Sequence, residues 1–402
     1  MIESTFSYEE INKMDNHIHL KINLQCMYVV GAYDLKLKNK FLSFIYNRIY
    51  SKLVVGYLMC FVITQYMEIL TNLSYGPFYV VSILGVSLLY SDTICKALVC
   101  GGPKIMKLID QIKETETRIL SYENNDLKEI YYDHVKWNYK ADRLLIWVGG
   151  ITVLPFYVSP ILIQISDDYV KEYDGDGYEM RPLPFITWFP FNRFQYYPIA
   201  YLYHMLAGMA GGSLTVSTDI LFVGLMTFAI GQIKILQYSF RNSRRLAENL
   251  AKNAGIPLEE AIVITIGYCV RMHKIIIKYI KTLDSAMRIL MLFDFSVASL
   301  QMAMLGIQIV VVGFGWQQLF VLEYLSAMFV QLFLFYWHAN EIILESIGIA
   351  SAIWDSDWMN YTTSVKKSLM LVMMRAQKPL TLSVGPFYIM STQTALSVSL
   401  QI

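Results

Sequence analysis

The apolar residues of this 402-residue chain lie in long uninterrupted blocks rather than at the three-to-four-residue spacing of an amphipathic surface helix. A helix needs about 20 mainly apolar residues to cross the hydrocarbon layer of a membrane. Two blocks, 53–73 and 144–165, reach that length without a Lys or Arg. The same criterion predicts seven spans in all, near 53–73, 78–99, 144–165, 197–228, 289–312, 317–338 and 380–402.

The basic residues are distributed unevenly around these spans. With the N-terminus in the cytoplasm, all but three of the 33 Lys and Arg residues are counted on the cytoplasmic side, including Lys96, which lies close to the inner end of the span 78–99. The exceptions, Lys171, Arg181 and Arg193, share one outer loop. Because basic residues are retained in the cytoplasm during insertion, the sequence predicts a cytoplasmic N-terminus and an extracellular C-terminus. This topology is opposite to that of G-protein-coupled receptors.

Composition supports the same fold class, an all-α membrane protein with cytoplasmic helical extensions. The chain is 55% hydrophobic and 16% charged, with a mean hydropathy of +0.41, which is too apolar for an ordinary soluble domain. No short apolar leader precedes the first span, which is therefore expected to act as a retained signal anchor. No Cys or His residues have metal-ligand spacing, and no Gly-rich phosphate loop precedes a helix. We therefore expect no enzyme activity, cofactor, metal site or nucleic-acid partner.

Three segments outside the spans carry further predictions. Residues 1–52 form either a short cytoplasmic helix packed on the bundle or a solvated tail, and the sequence leaves both open. The loop 166–196 combines six acidic residues with an aromatic stretch and three prolines, which predicts a structured outer lid. From Pro257 to Gly313 no strong helix breaker occurs, which predicts one helix long enough to project into the cytoplasm.

Acidic residues within the spans are candidates for function, because placing a carboxylate in a membrane is costly. Asp219 and Asp294 lie near the inner ends of their predicted spans. We expect each of them to pair locally, with Arg288 or Lys234 as candidate partners.

The most specific pattern lies in residues 335–402. Its parts are Phe335-Tyr336-Trp337-His338-Ala339-Asn340-Glu341, Ile349 to Trp358, the pair Lys366-Lys367, Arg375-Ala376-Gln377-Lys378-Pro379 and Ser383 to Phe387. This pattern resembles the signature of insect odorant receptors, and the seven-span inverted topology extends the resemblance to the whole chain. The resemblance implies a ligand-gated cation channel of four subunits in the plasma membrane of olfactory sensory neurons.

The resemblance also implies particular partners and a division of the chain. The chain would join the shared odorant co-receptor in a heterotetramer that passes monovalent and divalent cations. Because the linker 242–256 is short, the chain resembles a ligand-tuning subunit. Residues 53–341 would hold spans one to six, 342–379 a cytoplasmic anchor helix, and 380–402 the pore-lining seventh span.

The last predicted span carries a partly polar face. Met390, Thr394, Ser397 and Gln401 fall at helical spacing. Four copies of this face would hydrate a cation in a pore, but small polar residues also hold membrane helices together, and the residues alone leave both readings open. The resemblance favours a pore, with Val398 and Ile402 as hydrophobic constrictions. The predicted pore residues are Thr394, Ser397, Val398, Gln401 and Ile402.

The resemblance places an odorant pocket between spans two, three, four and six, in the outer half of the membrane. The candidate ligand contacts are Tyr79, Ile83, Val86, Gly150, Val153, Tyr157, Met205, Met209, Phe320 and Tyr324. Aromatic and Met side chains suit a small apolar volatile such as an ester, terpenoid or alcohol, and plain helix packing is the alternative for each residue. Tyr157 and Tyr324 are the strongest candidates, because a buried hydroxyl needs a partner.

Two other functions compete with the channel. In a secondary transporter, Gly208-x-x-Gly211-Gly212 and the prolines Pro155 and Pro160 would mark broken helices, although the chain shows no repeated halves. A metabotropic receptor would give nucleotide-dependent signals, and the inverted topology argues against it.

Overall fold

A computed structural model of the chain describes residues 18–32, 40–121, 124–166, 169–312 and 316–394. Its helices are α1 Lys21–Val29, α2 Lys40–Ile45, α3 Ser51–Thr71, α4 Pro77–Cys100, α5 Pro103–Ser121, α6 Asn125–Ile165, α7 Tyr197–Arg241, α8 Ser243–Ala254, α9 Leu258–Val312, α10 Trp316–Trp354 and α11 Thr363–Ala376. A π-helical turn, Tyr46–Tyr50, joins α2 to α3, and 3-10 turns lie at Leu73–Tyr75 and Trp358–Asn360. Two short strands, β1 Ser383–Val384 and β2 Tyr388–Ile389, pair antiparallel.

Six helices in the described part of the chain are long and apolar enough to cross a membrane. They are Tyr46–Thr71, Tyr79–Cys100, Asn125–Ile165, Tyr197–Arg241, Leu258–Ile307 and Leu319–Trp354. Each of these helices covers most of one of the first six predicted spans, so the prediction of an all-α membrane protein is confirmed. The uninterrupted helix predicted after Pro257 is also confirmed: α9 runs for 55 residues, or about 83 Å at 1.5 Å per residue.

The predicted start of the seventh span at residue 380 is wrong. Residues 383–389 form the β1–β2 hairpin, and a helical turn begins only at 392. Gly385 turns the chain with a φ of 58°, and Pro386 has no N–H to donate to a helix. Tertiary contacts also hold the hairpin, because the Ser383 N–H donates to Asp284 Oδ1 at 2.8 Å and the Gly385 N–H donates to the Arg288 carbonyl at 2.9 Å.

The bundle has two halves of different packing. The cavity half is the end at which α3, α6 and α9 finish and α4, α7 and α10 begin, next to the 166–196 loop. The core half is the opposite end, into which α1 inserts. The central helix α7 joins them, and it packs against α6, α10, α9, α4 and α1.

Helix α1 is held in the core half by buried hydrogen bonds. Glu116 Oε1 accepts the backbone N–H groups of Ile18 at 2.9 Å and His19 at 3.1 Å, and thereby fixes the backbone just before α1. The Asn23 amide donates to Asp142 Oδ1 at 3.0 Å. The N-terminal segment was expected to be either a packed helix or a solvated tail, and residues 21–29 form a packed helix. Residues 1–17 lie outside the described part of the chain.

Glycines in α7 allow close helix packing rather than helix breaks. A Cβ placed on Gly208 would lie 2.2 Å from the Tyr157 hydroxyl, and one on Gly212 would lie 2.9 Å from Val153 Cγ2. Both α6 and α7 continue through these residues, and Pro155 and Pro160 lie inside α6 without ending it. The broken helices expected for a transporter are therefore absent from α6 and α7.

Candidate ligand-binding site

A cavity of about 1080 Å³ lies inside the cavity half. Its walls are α4, α6, α7, α9 and α10, and residues 182–185 of the loop cover it. Its volume is slightly above the roughly 300–1,000 Å³ typical of small-molecule sites. Most of the lining is apolar, with Val86, Phe156, Met304 and Phe320 among the residues that face the space. The size and lining of this cavity suit a small, mainly apolar molecule.

Five of the ten predicted ligand residues line this cavity. They are Val86, Val153, Tyr157, Phe320 and Tyr324. The other five do not line it. Met209 and Gly150 face outward, Ile83 is buried elsewhere, and Met205 contributes a carbonyl that accepts from Tyr157.

Tyr79 has a structural partner at the end of α3. Its hydroxyl donates to Glu68 Oε1 at 2.5 Å, and Arg193 from the loop lies 3.5 Å from the same oxygen. Glu68 is buried, at 3% exposure, so this contact joins α3, α4 and the loop. The position of Tyr79 along its span indicates its depth in the membrane, but it does not indicate the direction of the side chain.

The two tyrosines with the strongest prediction make different contacts. Tyr157 donates to the Met205 carbonyl at 2.9 Å, across the close approach at Gly208. Tyr324 packs edge-on against Phe156, with ring centroids 6.1 Å apart. Both side chains border the cavity, so their contact with a ligand stays a prediction.

Two parts of the cavity wall were missed by sequence reasoning. Helix α9 supplies nine lining residues between Asp294 and Ile307, and one of them, Gln301, donates to the Gly85 carbonyl at 2.7 Å. The stripe Val297, Gln301 and Met304 at helical spacing is the signal that marks this face. The loop supplies Pro182, Leu183, Pro184 and Phe185.

The loop is fixed to the bundle by several hydrogen bonds. The Trp188 N–H donates to the Thr64 carbonyl at 3.1 Å, and Thr187 Oγ1 lies 2.8 Å from His204 Nε2. Phe185 is buried at 7% exposure against Phe61 and Tyr90. These contacts hold the cover of the cavity in one position.

The floor of the cavity is an ion-pair cluster around Lys96. The Lys96 ammonium lies 3.0 Å from Asp92, 3.2 Å from Asp219 and 2.5 Å from Asp294, and Lys96 is 1% exposed. All three aspartates border the cavity. Because a lysine ammonium fills the centre of the cluster, the group is an ion-pair network. No group of His, Cys, Asp and Glu in the described ranges has the arrangement of a metal site.

This cluster corrects two expectations. Asp219 and Asp294 pair with Lys96, whereas Arg288 pairs with Asp284 and Lys234 lies 3.4 Å from Glu345. Lys96, which was expected on the cytoplasmic side, lies inside a membrane-spanning helix, Tyr79–Cys100. The three carboxylates around its ammonium explain how the helix accommodates this charge.

The predicted pore residues fall at the edge of the described chain. Thr394 is the last described residue, and its hydroxyl donates to the Ile389 carbonyl at 2.8 Å. Ser397, Val398, Gln401 and Ile402 lie outside the described residues. Their role in a pore stays a prediction.

Helix α9 connects the cavity to the hairpin before this segment. Asp284 and Arg288 of α9 accept the hairpin hydrogen bonds described above, and a Cβ on Gly385 would lie 2.8 Å from Leu292 Cδ2. Leu292 is two residues before Asp294, which borders the cavity. One rigid element therefore touches both places.

Comparisons of the sequence and of the fold with known proteins agree with each other. The profile of the family described as 7tm Odorant receptor matches residues 95–399. Odorant receptor 10 of Aedes albopictus is 32% identical over 200 residues, which cover 49% of this chain and about half (51%) of that relative's length. Odorant receptor 30a of Drosophila melanogaster is 21% identical over 83% of this chain and 84% of its own length. The fold is similar to that of the insect olfactory receptor OR5 from Machilis hrabei in complex with eugenol, with a TM-score of 0.75, 14% identity and coverage of 95% of this chain and 94% of that one.

Proposed function

The chain belongs to the 7tm odorant receptor family, so it is a multi-pass membrane receptor and not an enzyme, and from this premise we propose that it is the ligand-tuning subunit of an odorant-gated cation channel. Its partner in this proposal is the shared odorant co-receptor, with which it forms a heterotetramer in the plasma membrane of olfactory sensory neurons. The N-terminus and the core half lie in the cytoplasm. A volatile enters the cavity, and the pore lined by the last helix opens to monovalent and divalent cations.

The observation that carries this proposal is the covered apolar cavity. It collects side chains from five helices and one loop at one end of the bundle, which is where a ligand from outside the cell would arrive. A molecule bound there contacts several helices at once. A ligand that binds the open arrangement of these helices more tightly than the closed one therefore shifts the equilibrium toward the open arrangement, by the difference between the two binding free energies.

The route from ligand to pore in this proposal is α9. A ligand contacts α9 between Asp294 and Ile307, and the segment from Asp284 to Leu292 holds the hairpin. A small shift of α9 along or about its axis moves the hairpin and with it the segment that follows. Thr394, Ser397, Val398, Gln401 and Ile402 form the proposed pore face.

The experiment that tests the channel is whole-cell current recording under a panel of volatiles, from cells that express this chain with and without an insect co-receptor. We expect a fast, non-selective cation current that needs both chains and persists without intracellular GTP. Gln401→Ala should change ion selectivity, whereas Gln377→Ala, outside the proposed pore, should leave it unchanged. A GTP-dependent response would instead support a metabotropic receptor.

A further inference from the structure

The cavity is acidic as well as apolar. Four of its lining residues are carboxylates, namely Asp92, Asp219, Asp294 and Glu323. None of its described lining residues is Lys, Arg or His. Lys96 lies just outside this lining and, in the part of the chain that the structure describes, is the one base that contacts the three aspartates of the floor. A neutral volatile of purely apolar character requires none of these charges.

The charges on the floor do not balance. One ammonium faces three carboxylates, and in the fully ionised cluster two negative charges remain uncompensated. The Gln331 amide donates to Asp219 Oδ2 at 2.8 Å, which supplies a hydrogen bond but no charge. Because an uncompensated buried charge is costly, a positive charge or a hydrogen-bond donor placed here is stabilised.

Two carboxylate oxygens of the cavity also lack a donor. Asp92 is 1% exposed, and its Oδ1 has no hydrogen-bond partner among the described residues, while Oδ2 contacts Lys96. Glu323 Oε1 accepts from Thr152 at 3.1 Å, and its Oε2 is buried without a described partner. An ionised carboxylate only accepts hydrogen bonds, so what both sites need is a donor.

Three side-chain donors of the cavity wall already have partners. Gln331 donates to Asp219, Gln301 donates to the Gly85 carbonyl and Tyr157 donates to the Met205 carbonyl. The protein therefore offers the ligand carboxylate acceptors at the floor, while these three donors are occupied. A ligand that only accepts hydrogen bonds gains little from such a floor.

We infer that the cavity selects a small amphiphile with an apolar body and a polar end that donates hydrogen bonds, an ammonium or a hydroxyl group. The apolar body lies against Val86, Phe156 and Phe320, and the donor end lies at the floor beside Asp92 and Asp294. Esters, ketones and ethers of the same size bind more weakly, because they bring only acceptors to a floor of acceptors. This inference rests on the proposed odorant cavity but not on the opening of a channel.

The test uses four probes with the same carbon chain: heptylamine, 1-heptanol, heptyl methyl ether and heptyl acetate. Binding to the purified full-length chain is measured from the rise in thermal unfolding temperature with probe concentration. We expect the amine, the alcohol or both to bind about tenfold or more tightly than the ether and the acetate. Binding of the amine alone identifies an ammonium site, and binding of both shows that a neutral donor suffices.

Two variants locate the polar contact. Asp92→Asn should remove most of the preference for donors, while Asp133→Asn, an exposed residue of α6, should retain it. Glu323→Gln tests the other acceptor, and loss of the preference in that variant alone would overturn the assignment to the floor. An ether or acetate that binds as tightly as the alcohol and the amine would overturn the inference, as would the absence of binding by all four probes.

Current recordings with the same probes separate this inference from the proposed function. Donor probes that bind without evoking current would support the ligand class and contradict the channel. Currents evoked equally by the ether and the alcohol would support the channel and contradict the ligand class.

Discussion

The two ends of α7 show how differently the two halves of the bundle are built. In the core half, every residue from 217 to 233 is buried, and Phe222 is fully enclosed. In the cavity half, residues 197–216 of the same helix alternate between buried and outward-facing positions and border a space of about 1080 Å³. Both stretches are similarly apolar in sequence, so the difference lies in what surrounds them.

This contrast assigns different tasks to the two halves. A close-packed interior resists deformation and transmits strain, which suits the end that holds α1 and the hairpin. An interior with space allows helices to move and a ligand to enter. The cavity half is therefore the more easily deformed of the two. In the proposed channel, the core half would supply the rigid part against which the helices of the cavity half move.

The largest effect is expected from the same truncation made in each half. Phe222→Ala removes a ring from a full core and should lower the free energy of unfolding by about 3–5 kcal/mol. Phe320→Ala removes a ring that already borders empty space, and should cost much less stability while changing the ligand response. Thermal unfolding of the two purified variants measures the difference. Equal losses of stability in the two variants would contradict the difference in packing between the two halves.

A smaller effect is expected at the wall between α6 and α7. Gly208→Ala places a Cβ 2.2 Å from the Tyr157 hydroxyl, so the Tyr157 ring must leave its position or the two helices must separate, at a cost of about 1–3 kcal/mol. Gly150→Ala is the matched control, because no atom lies within 4 Å of its added Cβ. Unfolding temperatures of the two variants should differ. An unchanged unfolding temperature in Gly208→Ala would show that the contact between α6 and α7 accommodates the added methyl group without loss of stability.

The smallest expected effect is on the pH dependence of stability, through two buried groups of the core half. Burial raises the pKa of the Glu116 carboxyl from 4.5 to about 7, so its contribution to stability is present below pH 4.5 and is lost as the pH rises to 7. Burial lowers the pKa of the His19 imidazole from 6.5 to about 4, so acidification below pH 6.5 destabilises the fold. The two contributions oppose each other between pH 4.5 and 6.5.

Glu116→Gln removes one of these opposing contributions. The variant should lose stability more steeply than the wild type as the pH falls from 6.5 to 4.5, by at most about 1.4 kcal/mol per pH unit. Unfolding temperatures across this range provide the measurement. Glu114→Gln, an exposed neighbour on α5, is the control and should keep the wild-type slope, and an unchanged slope in Glu116→Gln would contradict the account.

The lengths of the apolar blocks were sufficient to predict six membrane helices and the long helix after Pro257. The predicted start of the seventh span was too early because the prediction considered only the apolar content of residues 380–390. The Gly385–Pro386 pair was a local signal against a helix there, but the hairpin also depends on Asp284 and Arg288, which lie about a hundred residues earlier in the chain. Local sequence contains no information about such partners.

The site was half predictable for a related reason. Depth in the membrane follows from position along a span, and three residues selected in this way, Val86, Val153 and Tyr157, line the cavity. Rotation of each helix depends on its neighbours, so Met209, at the predicted depth, faces outward. Lys96 shows the same limit, because only Asp92 is its neighbour on the same helix, and the other two aspartates meet it through tertiary packing.

The central claim is that a ligand in the cavity half opens the channel, and a cavity-filling substitution tests it most directly. Val86→Phe places a ring in the cavity, and Leu154→Phe adds one to the outward face of α6, where Leu154 is 59% exposed. With surface delivery matched, concentration–response curves for odorant-evoked current should shift by about tenfold or more for Val86→Phe and stay at the wild-type position for Leu154→Phe. Wild-type curves from both variants would contradict the claim.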